Sequence, residues 1–151
     1  MNYDEVITSL QLKLPPAPQP VGFYRPVMIA GTLAFLSGQI SRLADGVILT
    51  GKAGEGLSLE SAQEGARAAA LNVLSVIKHQ IGFERFRRVV RLTGFVQAAP
   101  DFYEISQVMN AASELMIAVF GDAGVHARSA VGMASLPLNA VVEIEATLEV
   151  F

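Results

Sequence analysis

The chain of 151 residues carries 11 Lys and Arg against 14 Asp and Glu, which gives a net charge of −3. This length suits one domain with a real core, and 52% hydrophobic against 17% charged residues excludes general disorder. The absence of cysteine excludes a disulfide framework, a thiolate nucleophile and a zinc finger. A pI near 5.3 argues against a general polyanion binder, and the mean hydropathy of +0.43 predicts apolar surface that self-association buries.

The sequence carries no targeting signal that we recognise. Its most apolar stretch, Pro26 to Leu36, is about half of the ~20 residues that a spanning helix needs, and Gly31-Thr32 divides it. Asp4 and Glu5 stand where a secretory signal would carry positive charge. We therefore expect a cytoplasmic protein with no membrane partner.

The first third of the chain divides into an appendage and a strand-rich segment. Apolar spacing over residues 3–12 predicts a short helix, and four prolines between Pro15 and Pro20 predict an extended connector. Residues 1–20 are therefore expected to precede a main domain over residues 21–151. Gly22 to Thr50 reads as three antiparallel strands with a turn at Asp45-Gly46, and Gly51 to Gly56 reads as a glycine-rich loop.

The remaining elements alternate helix and strand. A helix is predicted from Ser58 to Gln80, a strand over Val89 to Val96, and a second helix from a capping box at Asp101 to Phe120. Two strands, Arg128 to Ser135 and Val141 to Phe151, close the chain. The order βββ-α-β-α-ββ predicts an α+β domain with one mixed six-stranded sheet and two helices on one face.

Two strands carry the most suggestive charges. In the last strand Glu143, Glu145 and Glu149 alternate with apolar residues, which fits either a solvated face or a carboxylate that acts as a general base in a cleft. Arg128 shares a strand face with small residues, which fits either a surface ion pair or a bidentate grip on a carboxylate.

Other polar groups are less suggestive. Four arginines, interleaved with Phe83 and Phe86, fit either a nucleic-acid patch or, as we prefer for an acidic chain, the solvated start of a strand; they are Arg85, Arg87, Arg88 and Arg91. His79 and His126 have no metal-ligand spacing, and we expect surface or helix-end roles for them. No phosphate loop, dinucleotide fingerprint or serine nucleophile elbow is present.

The segment Ala127-Arg-Ser-Ala-Val-Gly-Met-Ala-Ser-Leu-Pro-Leu-Asn-Ala-Val-Val-Glu-Ile-Glu-Ala146 strongly resembles the signature of the RidA/YjgF family, also called the L-PSP endoribonuclease family. The resemblance extends to Gly22-Phe-Tyr24, to Leu36-Ser-Gly-Gln-Ile40 and to Asn110-Ala111. It implies a chorismate mutase-like α+β fold and a homotrimer with three clefts between subunits. The implied reaction hydrolyses a reactive enamine or imine, such as 2-aminoacrylate, to a 2-keto acid and ammonia, with no metal or organic cofactor.

The resemblance also implies roles for particular residues. Arg128 stands where the family binds the substrate carboxylate, and Glu143 where it orients the attacking water. Tyr24, Ser37, Gly38 and Asn110 match positions that line the same cleft. Ala130 stands where deaminase members often carry Cys, and Gly132 where a Glu is common. The backbone N–H of Ala130 could still contact substrate, and the smaller side chains predict a roomier pocket.

The positions of Arg128 and Glu143 on their strands constrain the site. If the last two strands formed a tight hairpin through residues 136–140, Arg128 and Glu143 would be offset by about 16 Å at ~3.3 Å per residue. A small 2-keto acid cannot touch both. Either the strands are not neighbours, or the two residues of one site come from different subunits.

Two further functions stay open. The chain could be a non-catalytic trimer whose clefts bind a small carboxylate as a regulatory module. It could also be the endoribonuclease or translation inhibitor of the family's older name, which the acidic balance and the lack of paired histidines disfavour.

Overall fold

Two long helices cover one face of a five-stranded mixed sheet. The computed structural model describes residues 2–17, 19 and 22–151. The sheet has the order β1-β2-β7-β5-β6, and every neighbouring pair is antiparallel except β5 and β6. The strands are β1 (Val27–Ala30), β2 (Leu33–Ile40), β5 (Phe86–Gln97), β6 (Ala127–Met133) and β7 (Val142–Val150).

The prediction of a six-stranded sheet is wrong by one strand, because the segment around Val47-Ile48-Leu49 folds back on itself. Its backbone groups are satisfied locally: the Leu49 N–H donates to the Ser41 carbonyl, and the Ser41 hydroxyl donates to the Leu49 carbonyl. Only isolated bridges remain at Ile48 and Thr50. The predicted glycine loop instead contains two short paired strands, β3 (Lys52–Ala53) and β4 (Gly56–Leu57).

The helices largely follow the sequence pattern. A first helix, α1, spans Tyr3–Ser9, and α2 spans Leu59–Val76 behind an N-cap at Ser58, whose hydroxyl accepts the Ser61 N–H at 3.1 Å. One π-helical turn, Ile77–Ile81, extends α2. Alanines on one face of α2 are fully buried and bring the helix close to the sheet.

The predicted start of the third helix at Asp101 is wrong. The helix, α3, spans Ile105–Phe120, and its N-cap residue Glu104 makes no side-chain capping bond. Upstream, the Phe102 N–H donates to the Ala99 carbonyl at 3.1 Å in a separate turn. The Phe102 side chain packs directly on Gly54, where a Cβ would lie 2.9 Å from it. This contact competes with extension of the helix toward Asp101.

Strands β6 and β7 do not pair, because β5 lies between them. Their connection is a 3₁₀ turn, Pro137–Asn139, in which Leu138 and Asn139 have φ values of 56° and 57°. The buried side chain of Gln97 holds this turn: Nε2 donates to Asn139 Oδ1 at 2.7 Å, and Oε1 accepts the Leu136 N–H at 2.7 Å. The strands that carry Arg128 and Glu143 are therefore not neighbours in the sheet, which is one of the two alternatives considered above.

The N-terminal helix packs against the domain through an aromatic cluster. The Tyr3 ring lies 4.9 Å from Phe120, 5.6 Å from Phe83 and 5.8 Å from Phe86, edge to face in each case. Farther along, the Ser75 hydroxyl donates to the Pro15 carbonyl at 2.7 Å. The helix and the start of the proline connector are thus fixed to the domain.

No helix in the part of the chain that the structure describes is both long and apolar enough to cross a membrane.

Close packing of α2 on β7 yields a test of the core. In a helix interior, Gly→Ala ordinarily stabilises by about 1 kcal/mol. At Gly65 the added Cβ would overlap Val141 Cγ1, and a β-branched side chain has little freedom to move away. We expect Gly65→Ala to destabilise the protein by about 1–3 kcal/mol in denaturant unfolding.

The matched background is Val141→Ala, which removes the overlapping methyl groups. In that background Gly65→Ala should cost much less, so the double-mutant cycle should show strong coupling. Equal costs in both backgrounds would contradict this packing.

Candidate functional site

Three polar groups on α3 hold the Arg128 guanidinium. Arg128 Nη1 donates to Asn110 Oδ1 at 3.0 Å and to Ser113 Oγ at 3.1 Å, and Nη2 donates to Ser106 Oγ at 2.7 Å. The three acceptors follow helical spacing, so they form one stripe on α3 that faces the edge strand β6. We call Ser106, Asn110, Ser113 and Arg128 the arginine half-site.

The acceptors of Arg128 are all uncharged. Among residues 2–17, 19 and 22–151, no carboxylate forms a salt bridge with it. The interpretation of Arg128 as part of a surface ion pair is therefore wrong. The helix orients a half-buried guanidinium without neutralising it, and this arrangement leaves the cation available for an anion.

His126 supports the position of Ser113. Its hydroxyl lies 2.9 Å from His126 Nε2, while His126 Nδ1 lies 2.6 Å from the Gly124 carbonyl oxygen. An imidazole that donates from Nδ1 to that carbonyl can accept the Ser113 hydroxyl proton at Nε2, which leaves the Ser113 oxygen free to accept from Arg128. His126 is therefore a support for the arginine half-site, whereas His79 lies exposed in the helix-end turn, as predicted.

Glu143 lies over a bulge in the neighbouring strand. The register between β2 and β7 shifts between Leu36 and Gln39, which places Ser37 and Gly38 in the irregularity. A Cβ on Gly38 would lie 2.6 Å from Glu143 Oε1, so a larger residue there would displace the carboxylate from this position. The Ser37 hydroxyl donates to the Arg25 carbonyl and holds the segment that carries Tyr24 beside the strand.

A cavity of about 640 Å³ opens beside this carboxylate. Tyr24, Gly38 and Glu143 line it together with parts of the proline connector and the Arg42–Gly46 loop. We call Tyr24, Ser37, Gly38 and Glu143 the glutamate half-site. The resemblance implied one cleft for these four residues together with Arg128, Asn110 and Ala130. Within the protomer, Tyr24, Gly38 and Glu143 line this cavity, and Arg128, Asn110 and Ala130 do not.

The environment of Glu143 favours its neutral form. Burial raises the pKa of the Glu143 carboxyl above its ordinary value, and the negative charge of Glu145 on the same face raises it further. A carboxyl whose pKa moves toward neutrality is suited to accepting and returning a proton.

The two half-sites project from opposite faces of the sheet. Arg128 is level with Leu92, and Leu92 with Ala146, both of which are buried under the helices. Glu143 alternates with the buried row on β7, so its side chain points to the face of the sheet opposite the two helices, which we call the open face. Arg128 and Glu143 are offset by three residues along the strands and by two strands across the sheet. At ~3.3 Å per residue and ~4.8 Å per strand, their Cα atoms are about 14 Å apart. One protomer therefore does not join Arg128 and Glu143.

Ala130 lies on the arginine side. It follows Arg128 on the same face of β6 and is level with Gly94. A Cβ on Gly132 would make only ordinary contact, 3.5 Å from Ile105 Cδ1. The large cavity of the protomer lies at Glu143, away from these two small residues.

Arginines of the arginine-rich segment form salt bridges and a hydrogen bond within the protomer. Arg88 and Arg87 pair with Glu149 at 3.0 and 3.7 Å, and Arg91 Nη2 donates to Ser129 Oγ at 2.6 Å. Phe83 and Phe86 belong to the aromatic cluster around Tyr3, so they are not free to stack on bases. These contacts favour the interpretation as a solvated strand start.

Sequence reasoning missed Ser106, Ser113 and His126. A signal was present, since Ser106, Asn110 and Ser113 recur at intervals of four and three on a predicted helix. Nothing in the sequence showed that this stripe faces Arg128. Within the described residues, no group of three or more His, Asp or Glu side chains could hold a metal ion.

A mixed sheet in the order β1-β2-β7-β5-β6 with two helices on one face defines a chorismate mutase-like α+β domain. The chain belongs to the family described as "YjgF/chorismate mutase-like, putative endoribonuclease", which matches residues 5–149. Protein TCP17 of Trypanosoma cruzi is 41% identical over 145 residues, covering 95% of this chain and 91% of that protein. A 2-iminobutanoate/2-iminopropanoate deaminase of Dermatophagoides farinae is 31% identical over 135 residues, covering 89% and 91%.

Solved structures agree with this assignment. A protein of unknown function from Agrobacterium tumefaciens superposes with a TM-score of 0.90 at 40% identity, covering 99% of this chain and 92% of its own. A "putative endoribonuclease" from Shewanella oneidensis superposes with a TM-score of 0.94 at 26% identity, covering 99% of both chains. The Escherichia coli YjgF gene product reaches 0.61 at 26% identity, covering 89% and 92%. The first two similarities therefore include the N-terminal helix.

Because the pKa of the Glu143 carboxyl is raised in the fold, this residue should lower the stability of the protein as the pH rises. Below the ordinary value of 4.5 the carboxyl is neutral in both folded and unfolded chains, and its burial costs little. As the pH rises through the folded pKa, an unfavourable ionisation destabilises the fold. We expect Glu143→Gln to raise the thermal midpoint at neutral pH and to lose this advantage below pH 4.5.

The matched control is Glu55→Gln, which removes an exposed carboxylate. Its effect on the midpoint should not grow as the pH rises. An advantage for Glu143→Gln that is the same at acid and neutral pH would contradict the assigned burial effect.

Proposed function

We propose that the protein hydrolyses reactive 2-imino acids, formed from enamines of the 2-aminoacrylate type, to 2-keto acids and ammonia. The observation that carries the proposal is the guanidinium of Arg128, which three uncharged groups orient and no carboxylate neutralises among the described residues. A planar cation held in this way suits a small carboxylate. The family and a deaminase relative at 31% identity support the choice of substrate.

Glu143 would act as the general base for the attacking water. An enamine first takes a proton on carbon and becomes an iminium. The Glu143 carboxylate accepts a proton from water as the water oxygen bonds to the iminium carbon. Glu143 then passes that proton to nitrogen, the carbon–nitrogen bond breaks as ammonia leaves, and the carbonyl forms as the hydroxyl proton returns to the Glu143 carboxylate. Since no electrons are gained or lost, the reaction needs only an oriented water and an anchored substrate.

The site would be shared between subunits of a homotrimer. Within a protomer, Arg128 and Glu143 project from opposite faces, so one substrate cannot contact both. The open face also exposes Met28, Leu33, Phe35 and Val131 beside its glutamates, and burying this apolar surface would stabilise an assembly. A head-to-tail contact would bring the arginine half-site of one subunit to the glutamate half-site of the next.

Activity should depend on Arg128. A dehydratase acting on serine or threonine would generate the substrate, and 2-keto acid release would be followed. We expect Arg128→Ala to lower kcat/KM by roughly 10–100-fold, since hydrogen bonds to a charged group contribute ~1.5–3 kcal/mol. Arg67→Ala, an exposed arginine on α2, is the control and should match the parent. Unchanged release by Arg128→Ala would refute the assignment, as would saturable carboxylate binding without turnover.

Mixing two impaired variants tests the shared site. Arg128→Ala and Glu143→Gln subunits, combined one to one by refolding, would form mixed trimers. About one quarter of the sites would then pair an intact Arg128 with an intact Glu143 from a neighbour, so about one quarter of the parent activity should return. Light scattering of the parent should give a trimer. No recovery in verified mixed trimers would place both residues in one subunit's site.

A further inference from the structure

The cavity beside Glu143 is larger than a 2-aminoacrylate-sized substrate requires. Its volume of about 640 Å³ falls within the ~300–1,000 Å³ of pockets that take drug-sized ligands. A substrate of about six non-hydrogen atoms would fill roughly 180 Å³, if each atom takes the ~30 Å³ share of a water molecule. Most of the cavity would therefore remain for a longer substrate side chain.

The walls of this cavity are built by fixed parts of the chain. The proline connector supplies Pro15, Pro16, Ala17 and Gln19, and the hydrogen bond from Ser75 to the Pro15 carbonyl anchors its first residue. On the other side, Leu138 in the turn held by Gln97 adds to a lining that is mainly apolar. This lining favours the methylene groups of a side chain.

One cation lines the cavity besides these apolar groups. Arg42 is half-buried, and its guanidinium makes no hydrogen bond or salt bridge with any residue that the structure describes. Its backbone is fixed by the buried side chain of Asn72, whose Nδ2 donates to the Arg42 carbonyl at 2.7 Å. A partly desolvated cation without a partner gains most from an anion.

Register places Arg42 at a useful distance from the reacting centre. Glu143 is level with Ile40 on β2, and the Arg42 N–H donates to the Ile40 carbonyl at 2.8 Å in a tight turn. Arg42 therefore lies closer to Ile40 than the ~7 Å that two extended residues would span. A side chain of two or three methylene groups spans such a gap. Its far end would then meet the guanidinium.

We propose that the preferred substrates are dicarboxylic 2-imino acids, whose distal carboxylate binds Arg42 while the chain lies along the connector. This inference rests on the proposed function for the reaction and names its substrate class. Arg128 of a neighbouring subunit would hold the carboxylate next to the imine, and Arg42 would hold the other one. A substrate of the same shape with an uncharged amide in place of the distal carboxylate would not form an ion pair with Arg42.

The experiment compares two imines of nearly equal shape, generated in place by amino-acid oxidation of glutamate and of glutamine. We expect kcat/KM at least tenfold higher for the dicarboxylic imine, through a lower KM at similar kcat. Arg42→Ala should abolish that preference while retaining hydrolysis of the small alanine-derived imine. Arg67→Ala, the exposed arginine on α2, should keep the preference. Equal rates for both imines with the parent would overturn the inference.

A binding measurement separates this inference from the reaction itself. Calorimetry needs no turnover and compares 2-ketoglutarate with 2-ketoglutaramate, in which an uncharged amide replaces only the distal carboxylate. At least tenfold tighter binding of 2-ketoglutarate, lost in Arg42→Ala, supports the inference even if no imine is hydrolysed, in which case only the reaction is wrong. Equal binding of the two compounds by the parent overturns the inference even if imines are hydrolysed. Since the comparison uses the parent, it does not depend on how well the variant folds.

Discussion

Successive side chains of a strand point to opposite sides of its sheet, and this alternation governs the candidate site. The row that contains Leu92 and Ala146 is buried under the helices, and Arg128 continues that row at the edge strand. Glu143 belongs to the other row, on the face that no helix covers. A shift of one residue in either strand would reverse the relation and would also turn a row of core residues to solvent. The separation of the two charges is thus enforced by the same packing that stabilises the domain.

The two charges are prepared in different ways. Arg128 keeps its charge and is oriented by hydroxyl and amide oxygens, with His126 fixing the direction of the Ser113 hydroxyl. Glu143 lies in a half-buried position where ionisation is opposed by burial and by Glu145. A fixed cation binds an anion at every physiological pH, whereas a carboxyl of raised pKa exchanges protons. This difference matches an anchoring group and a proton-transfer group.

Much of the architecture could be predicted from local pattern. The alternation in β7 and the alanine face of α2 are strong because burial acts on every residue of those elements. The strand expected at Val47 and the capping box at Asp101 failed because tertiary contacts, the Ser41–Leu49 bonds and the packing of Phe102 on Gly54, outweighed local preference. Arg128 and Glu143 could be named from the family signature. The contact of Ser113 with Arg128, its support by His126, and the lack of a partner for Arg42 among the described residues depend on which elements become neighbours, and no local pattern contains that information.

The N-terminal segment has a consequence for how such a protein can diversify. Tyr3 in its aromatic cluster and the bonded carbonyl of Pro15 attach the segment to the domain without using any strand of the sheet. One boundary of the Glu143 cavity is therefore contributed by residues that take no part in strand pairing. Replacing a side chain at Pro16 or Ala17 would reshape the chamber while leaving the spacing of Arg128 and Glu143 intact. On the proposed function, selectivity and chemistry would therefore depend on separately mutable parts of one small domain.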